Sequence, residues 1–232
     1  LTSVMVIPHR PPILTAKMLN TLDVLSKGRL TVGVGVGWMK EEITLLNGPK
    51  FEQRGAVANE YIEAFTILWT DEAPTYDGTY VNFSHIKFFP KPIQTPHPPL
   101  WVGGEALLAR ERAGRLGNGW YPVGNNPNAP FDTPKRYARG LKDVQDIAIA
   151  NNRNPTEIAC GIYIIWYSLG ESAKNVKGER QTFTGSASDI LSDISKYEKA
   201  GLQHLVIGGE SNDLETCLNR MRVFNKEIIR HA

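Results

Sequence analysis

Between Gly28 and Glu42 (GRLTVGVGVGWMKEE) the apolar residues Leu30, Val32, Val34 and Val36 alternate strictly with Thr31, Gly33, Gly35 and Gly37, the period-two pattern of a buried strand. One face of that strand is β-branched and the other is nearly bare. Each glycine costs a strand about 0.5–1 kcal/mol relative to alanine, so a bare face calls for a reason. A ligand or another backbone lying close against it is one reason, and a barrel interior that alternates small and large residues is the other. A dinucleotide fingerprint does not fit, because the third glycine would fall on Trp38 or Lys40 and no compact strand–helix–strand unit follows.

The same pattern reading sets out the rest of the chain. Thr2–Ile7 predicts a strand. Pro11 and Pro12 then open a helix in which Ile13, Leu14, Met18, Leu22 and Leu25 recur at helical spacing as far as Lys27-Gly28. A short helix over Lys40–Leu46 and a longer one over Arg54–Trp69 follow. Tyr76–Phe89 then predicts a hairpin outside the main repeat, and the proline-dense PKPIQTPHPP predicts an extended connector. Strands are predicted at Leu100–Val102, Trp120–Val123, Ile158–Tyr167 and His204–Ile207. The helices between and after them fall at Glu105–Leu116, Thr133–Ala150, Ser186–Ala200 and Leu214–Ile229.

Six strands, each followed by a helix, predict an α/β protein with a parallel sheet. A doubly wound sheet is one solution. A TIM-type (β/α)8 barrel that lacks its first two units is the one that also suits an opening on a strand without a starting methionine, since two such units take up about 60 residues. On this reading residues 1–232 form a single, N-terminally incomplete barrel domain with a hairpin insertion at about 76–89. The strand at Thr2 and the last strand would be open edges, which are expected to be covered.

Composition narrows the function. The 26 basic and 24 acidic residues leave a net charge of +2 with no basic stripe, so nucleic acid is not an expected partner. No apolar run is long enough to span a bilayer, so no membrane partner is expected either. The two cysteines, Cys160 and Cys217, have no metal-ligand spacing; they are expected to be core residues in a reducing, cytoplasmic setting, and no metal is expected.

In a barrel the loops after the strands surround one mouth. Gly103 and Gly104, between a strand and a helix start, could hold a phosphate on open backbone N–H groups, although Glu105 would repel it; Gly208-Gly209 competes for that role. His9 and Arg10 follow the first strand and are the candidate catalytic residues, a proton carrier near neutral pH and an anion holder. Serine-nucleophile and zinc motifs are absent.

The segments TSVMVIPHRPP, LDVLSKGRLTVGVGVGW, FEQRG, FFPKPIQTPHPPLWVGG, RAGRLGNGWYP and AGLQHLVIG resemble, in order and spacing, the luciferase-like monooxygenase superfamily. GVGVGW and the PKPIQTPHPPLWVGG run are most similar to its F420-dependent oxidoreductase branch. The resemblance implies a TIM-type barrel binding F420, or alternatively FMN, at its C-terminal mouth, with hydride transfer or flavin-mediated oxygen insertion. It places the ring against Ser3 and Val4, where the family often has a non-prolyl cis peptide. It further implies Gly35, Gly37 and Trp38 beside the ring and Gly103 and Gly104 at the phosphate. Trp38 stands where some sugar-phosphate-oxidising relatives carry a glutamate, which argues against that substrate class. The strand that in many relatives supplies a catalytic histidine would lie upstream of Leu1.

The expected function is therefore an F420-dependent oxidoreductase acting on a small organic molecule. The alternatives are an FMN-dependent monooxygenase served by a separate flavin reductase, and a barrel that binds flavin without turnover. A homodimer is the expected assembly.

Overall fold

A computed structural model describes residues 1–126, 128–175 and 177–231. Its contacts divide the chain into two compact units, Leu1–Gly103 with Glu111–Gly119, and Gly104–Arg110 with Trp120–Ala232.

The first unit opens with β1 (Met5–Val6), a 3-10 turn over Ile7–His9, α1 (Pro12–Leu25) and β2 (Val32–Gly35). Helices α2 (Lys40–Leu45) and α3 (Arg54–Thr70) follow, then β3 (Tyr76–Asp77), β4 (Asn82–Phe83) and β5 (Leu100–Gly103). β1 pairs with β2 and β2 with β5, both parallel, with Val6 opposite Gly35 and Val34 opposite Val102. β3 and β4 form an antiparallel sheet of their own, so the hairpin lies outside the parallel strands as its turn residues predict. β1 is shorter than the predicted Thr2–Ile7 because Pro8, with its fixed φ, turns the chain into the 3-10 segment. Thr2 nevertheless bonds across to the next strand, its N–H to the Thr31 carbonyl at 3.1 Å and its hydroxyl to the Gly33 carbonyl at 2.8 Å.

Val32, Val34, Leu100 and Val102 pack in the core with Ile62, Phe65, Leu68 and Trp69 of α3. α1 departs from its apolar pattern. Leu14, Met18, Leu22 and Leu25, which recur at helical spacing, are exposed, and the buried positions include Thr15, Ala16, Leu19, Asn20 and Asp23. Polar bonds account for the reversal. The Asp23 carboxylate accepts from the Ile93 N–H (2.8 Å), the Gln94 N–H (3.1 Å) and Gln94 Nε2 (2.7 Å), while Asn20 Nδ2 donates to the Pro90 carbonyl at 2.8 Å. The helix is seated on the proline-rich connector, where donors freed by the extended backbone must find acceptors.

α4 (Leu107–Leu116) leads to β6 (Gly119–Tyr121). The rest of the second unit comprises α5 (Pro134–Ala150), β7 (Ala159–Ile164), β8 (Ser168–Leu169), β9 (Thr184–Gly185), α6 (Ala187–Lys199), β10 (His204–Ile207) and α7 (Leu214–Phe224). A π-helical turn over Asn225–Ile229 extends α7. β7 and β10 are parallel, with Leu205 opposite Ile162. The apolar run predicted as one strand over Ile158–Tyr167 stops at Ile164. Beyond it Trp166 bonds to the Thr182 carbonyl at 2.8 Å, and Ser168–Leu169 pairs separately, in parallel, with Thr184–Gly185. The predicted cap on α6 is present as a capping box between Ser186 and Asp189.

The core of this unit is aromatic. Trp120 stacks on Tyr137 at 5.6 Å, and Tyr197 lies 5.7 Å from Tyr137 and 5.0 Å from Phe183. Cys160 belongs to that interior, its thiol pushed up to about 11 by burial. Cys217 does not; it is part-exposed on α7, and neither cysteine is bridged.

Candidate active site

The site builds from the register of β1 against β2. The Ser3–Val4 peptide is cis, at the position where the family resemblance places one. The bare face of β2 meets the chain's own atoms. A Cβ built on Gly33 would lie 2.0 Å from the Thr2 carbonyl oxygen, and one on Gly35 would lie 2.8 Å from Val4 Cγ2. One on Gly37 would meet Val6 Cγ1 at 2.9 Å and His9 Nε2 at 3.4 Å. The glycines thus let the neighbouring chain lie close against β2, and Gly37 also needs its freedom of backbone, at φ +81°. Of the residues around them, Val4 is 37% exposed and Trp38 is 80% exposed.

Gly35 and Gly103 line one crevice in the first unit, too small to admit water, together with Val34, Val102 and Arg112. Arg112 is buried; its Nε donates to Asn59 Oδ1 at 2.6 Å and its terminal nitrogen to the Gly55 carbonyl at 3.0 Å. Burial, helped by Arg115, lowers its proton affinity. Arg54 holds the turn after β2. Its Nε donates to the Gly37 carbonyl at 3.0 Å, another nitrogen to the Phe51 carbonyl at 2.8 Å, and the guanidinium lies 3.7 Å from the centre of the Phe51 ring. Neither arginine stood out in the sequence; each lies in a quoted motif, FEQRG and RAGRLGNGWYP, which is the signal that could have found them.

His9 is 94% buried by its side chain, with Nδ1 4.0 Å from Glu42 Oε1, while its Nε2 is buried without a hydrogen-bond partner among the described residues. His9 and Arg10 line one cavity of about 390 Å³ with Asn47, Tyr61 and Tyr80, and Arg10 itself is exposed. The structure therefore brings His9 to Gly37 and Glu42, and leaves Arg10 at a rim. Ser3 is exposed.

In the second unit Gly104 has φ +115°, and its carbonyl accepts from Trp120 Nε1 at 3.0 Å. The Glu105 carboxylate, expected to disturb a phosphate there, is turned onto the loop after β6. It accepts the Val123 N–H at 2.6 Å and Asn126 Nδ2 at 3.2 Å, and burial raises its pKa. α4 begins at Leu107, two residues later than predicted. At Gly208 a Cβ would stand 2.7 Å from Glu210 Oε2 and 3.2 Å from the Tyr163 hydroxyl. A carboxylate so placed works against the alternative phosphate site. Tyr163 donates a short hydrogen bond to Glu210, and burial followed by that bond pushes the phenol up to about 12. No group of metal-ligating residues occurs among the described residues, and no helix among them is long and apolar enough to cross a membrane.

Parallel strands alternating with helices define an α/β fold of the (β/α)-barrel kind. Residues 1–214 match the luciferase-like monooxygenase family, and the chain belongs to it. It is 31% identical over 173 residues, 72% of its length, to an FMNH2-dependent dimethylsulfone monooxygenase of Pseudomonas putida, of which it covers 45%. It is 25% identical over 251 residues, 94% of its length, to an F420-dependent glucose-6-phosphate dehydrogenase of Segniliparus rotundus, of which it covers 73%. Among solved structures, monooxygenase RslO1 from Streptomyces bottropensis superposes with a TM-score of 0.77 at 21% identity, covering 99% of this chain and 77% of that one. The fold is therefore the luciferase-like TIM-type barrel, and the chain spans about half the length of curated relatives such as the Pseudomonas protein.

Proposed function

We propose that the chain is part of an oxidoreductase in which Val4, seated on Gly35 and beside an exposed Ser3, supports the ring of F420. The substrate would be a small organic molecule taking or giving a hydride. The observation that carries this reading is the packing of the Ser3–Val4 segment over the glycine face of β2. The apolar surfaces of Val4 and Trp38 suit a flat heterocycle, and the buried His9 Nε2 beside Gly37 is a polar atom with no hydrogen-bond partner among the described residues. When bound, the cofactor supplies the electron pair; the protein's tasks are to seat it, orient it and keep water away. Arg54 keeps the Gly37 turn fixed and so aims Trp38. His9, with Glu42 on its far nitrogen, can hold or release a proton at Nε2. Gly103 and Gly104 are proposed for the phosphate.

The second reading, an FMN-dependent monooxygenase fed by a separate flavin reductase, is favoured by the likeness to the Pseudomonas enzyme. Titrating the full-length protein with F420 and with FMN, oxidised and reduced, separates the two. Tight F420 binding with turnover supports the first, and tight reduced FMN binding with oxygen-dependent turnover supports the second. Binding of either without turnover across a substrate panel supports a flavin-binding barrel instead. A cytoplasmic homodimer is the proposed state. The apolar stripe Leu14, Met18, Leu22 and Leu25 on α1 supports the dimer, and a monomeric mass by light scattering would refute it.

A further inference from the structure

Two cavities in the second unit, of about 510 and 320 Å³, share Arg136 and Arg139 in their walls. The larger adds Thr133, Lys135 and Glu179, and the smaller adds Arg110, Phe131 and Lys177. Five cations thus line one or both cavities, four of them (Arg110, Arg136, Arg139 and Lys177) the smaller groove, and the carboxylates at hand neutralise only some of them. Arg136 is taken by Asp132 at 2.6 Å and Glu179 at 3.2 Å, and Arg110 is paired with Asp143. Lys135, Arg139 and Lys177 form no ion pair among the described residues. Arg110 still has a donor to place, because its Nε is buried without an acceptor among the described residues while the guanidinium is held over the Phe131 ring at 5.9 Å.

From this geometry we propose that the groove is a binding site for an oxyanion, a carboxylate or phosphate ester on a small molecule, held between Arg110 and Arg139 with Lys177 at its edge. Two guanidinium forks and an ammonium facing one cavity of this size suit a group with two or three acceptor oxygens, and such charge-assisted bonds are about twice as strong as neutral ones. The proximity of like charges agrees. Burial first, and then Arg139, lower the proton affinity of Arg110, a repulsion that an anion between them would remove. The Thr133 hydroxyl is already engaged by the Arg136 N–H, so the end of α5 is capped internally and the side chains are what recognise the ligand. None of these side chains belongs to the proposed flavin site, so either can fail without the other.

The test is calorimetric titration of the full-length protein with glycerol phosphate and with glutarate at constant ionic strength, with chloride as the comparator. Saturable binding of at least one is expected, and the stronger of the two tells whether the ligand is a phosphate ester or a carboxylate. Arg139→Gln should weaken it by about tenfold or more, and Lys177→Gln, at the exposed edge, by a few-fold. Arg139→Lys keeps the charge and loses the fork, so it should fall between the parent and Arg139→Gln. Failure of both probes to bind above the chloride control, or equal affinity in folded Arg139→Gln or Arg139→Lys and the parent, would overturn the proposal.

Discussion

A Cβ added to Gly35 would lie 2.8 Å from Cγ2 of Val4, closer than non-bonded carbons come, so the bareness of β2 at this point is the space that Val4 occupies. Gly35→Val should therefore overpack the contact and lower stability by about 1–3 kcal/mol whether or not cofactor is present. Thermal melts in both states check this. A variant that melts like the parent without cofactor, yet no longer binds it, would show that the space belongs to the ligand instead.

Arg54 bridges the Gly37 and Phe51 carbonyls with two nitrogens of one planar group, a geometry lysine cannot reproduce. Arg54→Lys should cost about 1–2 kcal/mol despite its unchanged charge, since at least one bond from a charged donor is lost. Urea denaturation measures the difference, and a midpoint equal to that of the parent would contradict it.

Asp23 satisfies three donors of the connector from one buried carboxylate. Asp23→Ala strands all three and should cost about 3 kcal/mol or more, with Asp23→Asn intermediate because its carbonyl oxygen still accepts. Chemical denaturation of the two variants in parallel should return that order.

Glu105 has its pKa raised above the ordinary 4.5 by burial. The folded protein then holds this proton more tightly than the unfolded chain. The stabilising contribution is complete below 4.5 and is lost as pH rises through the folded value, because over that window the unfolded state binds fewer protons. Glu105→Gln cannot titrate, so the stability difference, parent minus variant, should fall on going upward from pH 4.5 and then level off. A difference that is flat across that window would contradict the assignment.

Much of the fold was legible because its signals are local. The alternation in GRLTVGVGVGW, the Ser186 cap, the YDGTY turn and the Pro11-Pro12 start of α1 each sit within a few residues of what they specify. The parts that were not legible depend on partners far along the chain. Nothing near Leu14 or Met18 reveals that α1 turns them outward, because the cause lies about seventy residues away in Ile93 and Gln94. The end of β7 depends similarly on Thr182–Gly185. At the site, the glycine face left two readings open, and the space at Gly33, Gly35 and Gly37 is taken by Thr2, Val4 and Val6 of the adjoining segment. Arg54 and Arg112 carry no periodic or spacing signal, since their role is fixed by carbonyls that only the fold delivers.

The reversed orientation of α1 also bears on the order in which the first unit assembles. Apolar burial alone would draw Leu14, Met18, Leu22 and Leu25 inward, and an early collapsed chain has nothing to oppose that. The Asp23 carboxylate finds its donors, and the Asn20 amide its acceptor, only once a segment of high sequence separation has arrived, and closing so long a loop is slow compared with winding a helix. We expect α1 to form early and acquire its final rotation late, so that substitutions at Asp23 chiefly speed unfolding and leave the folding rate nearly unchanged.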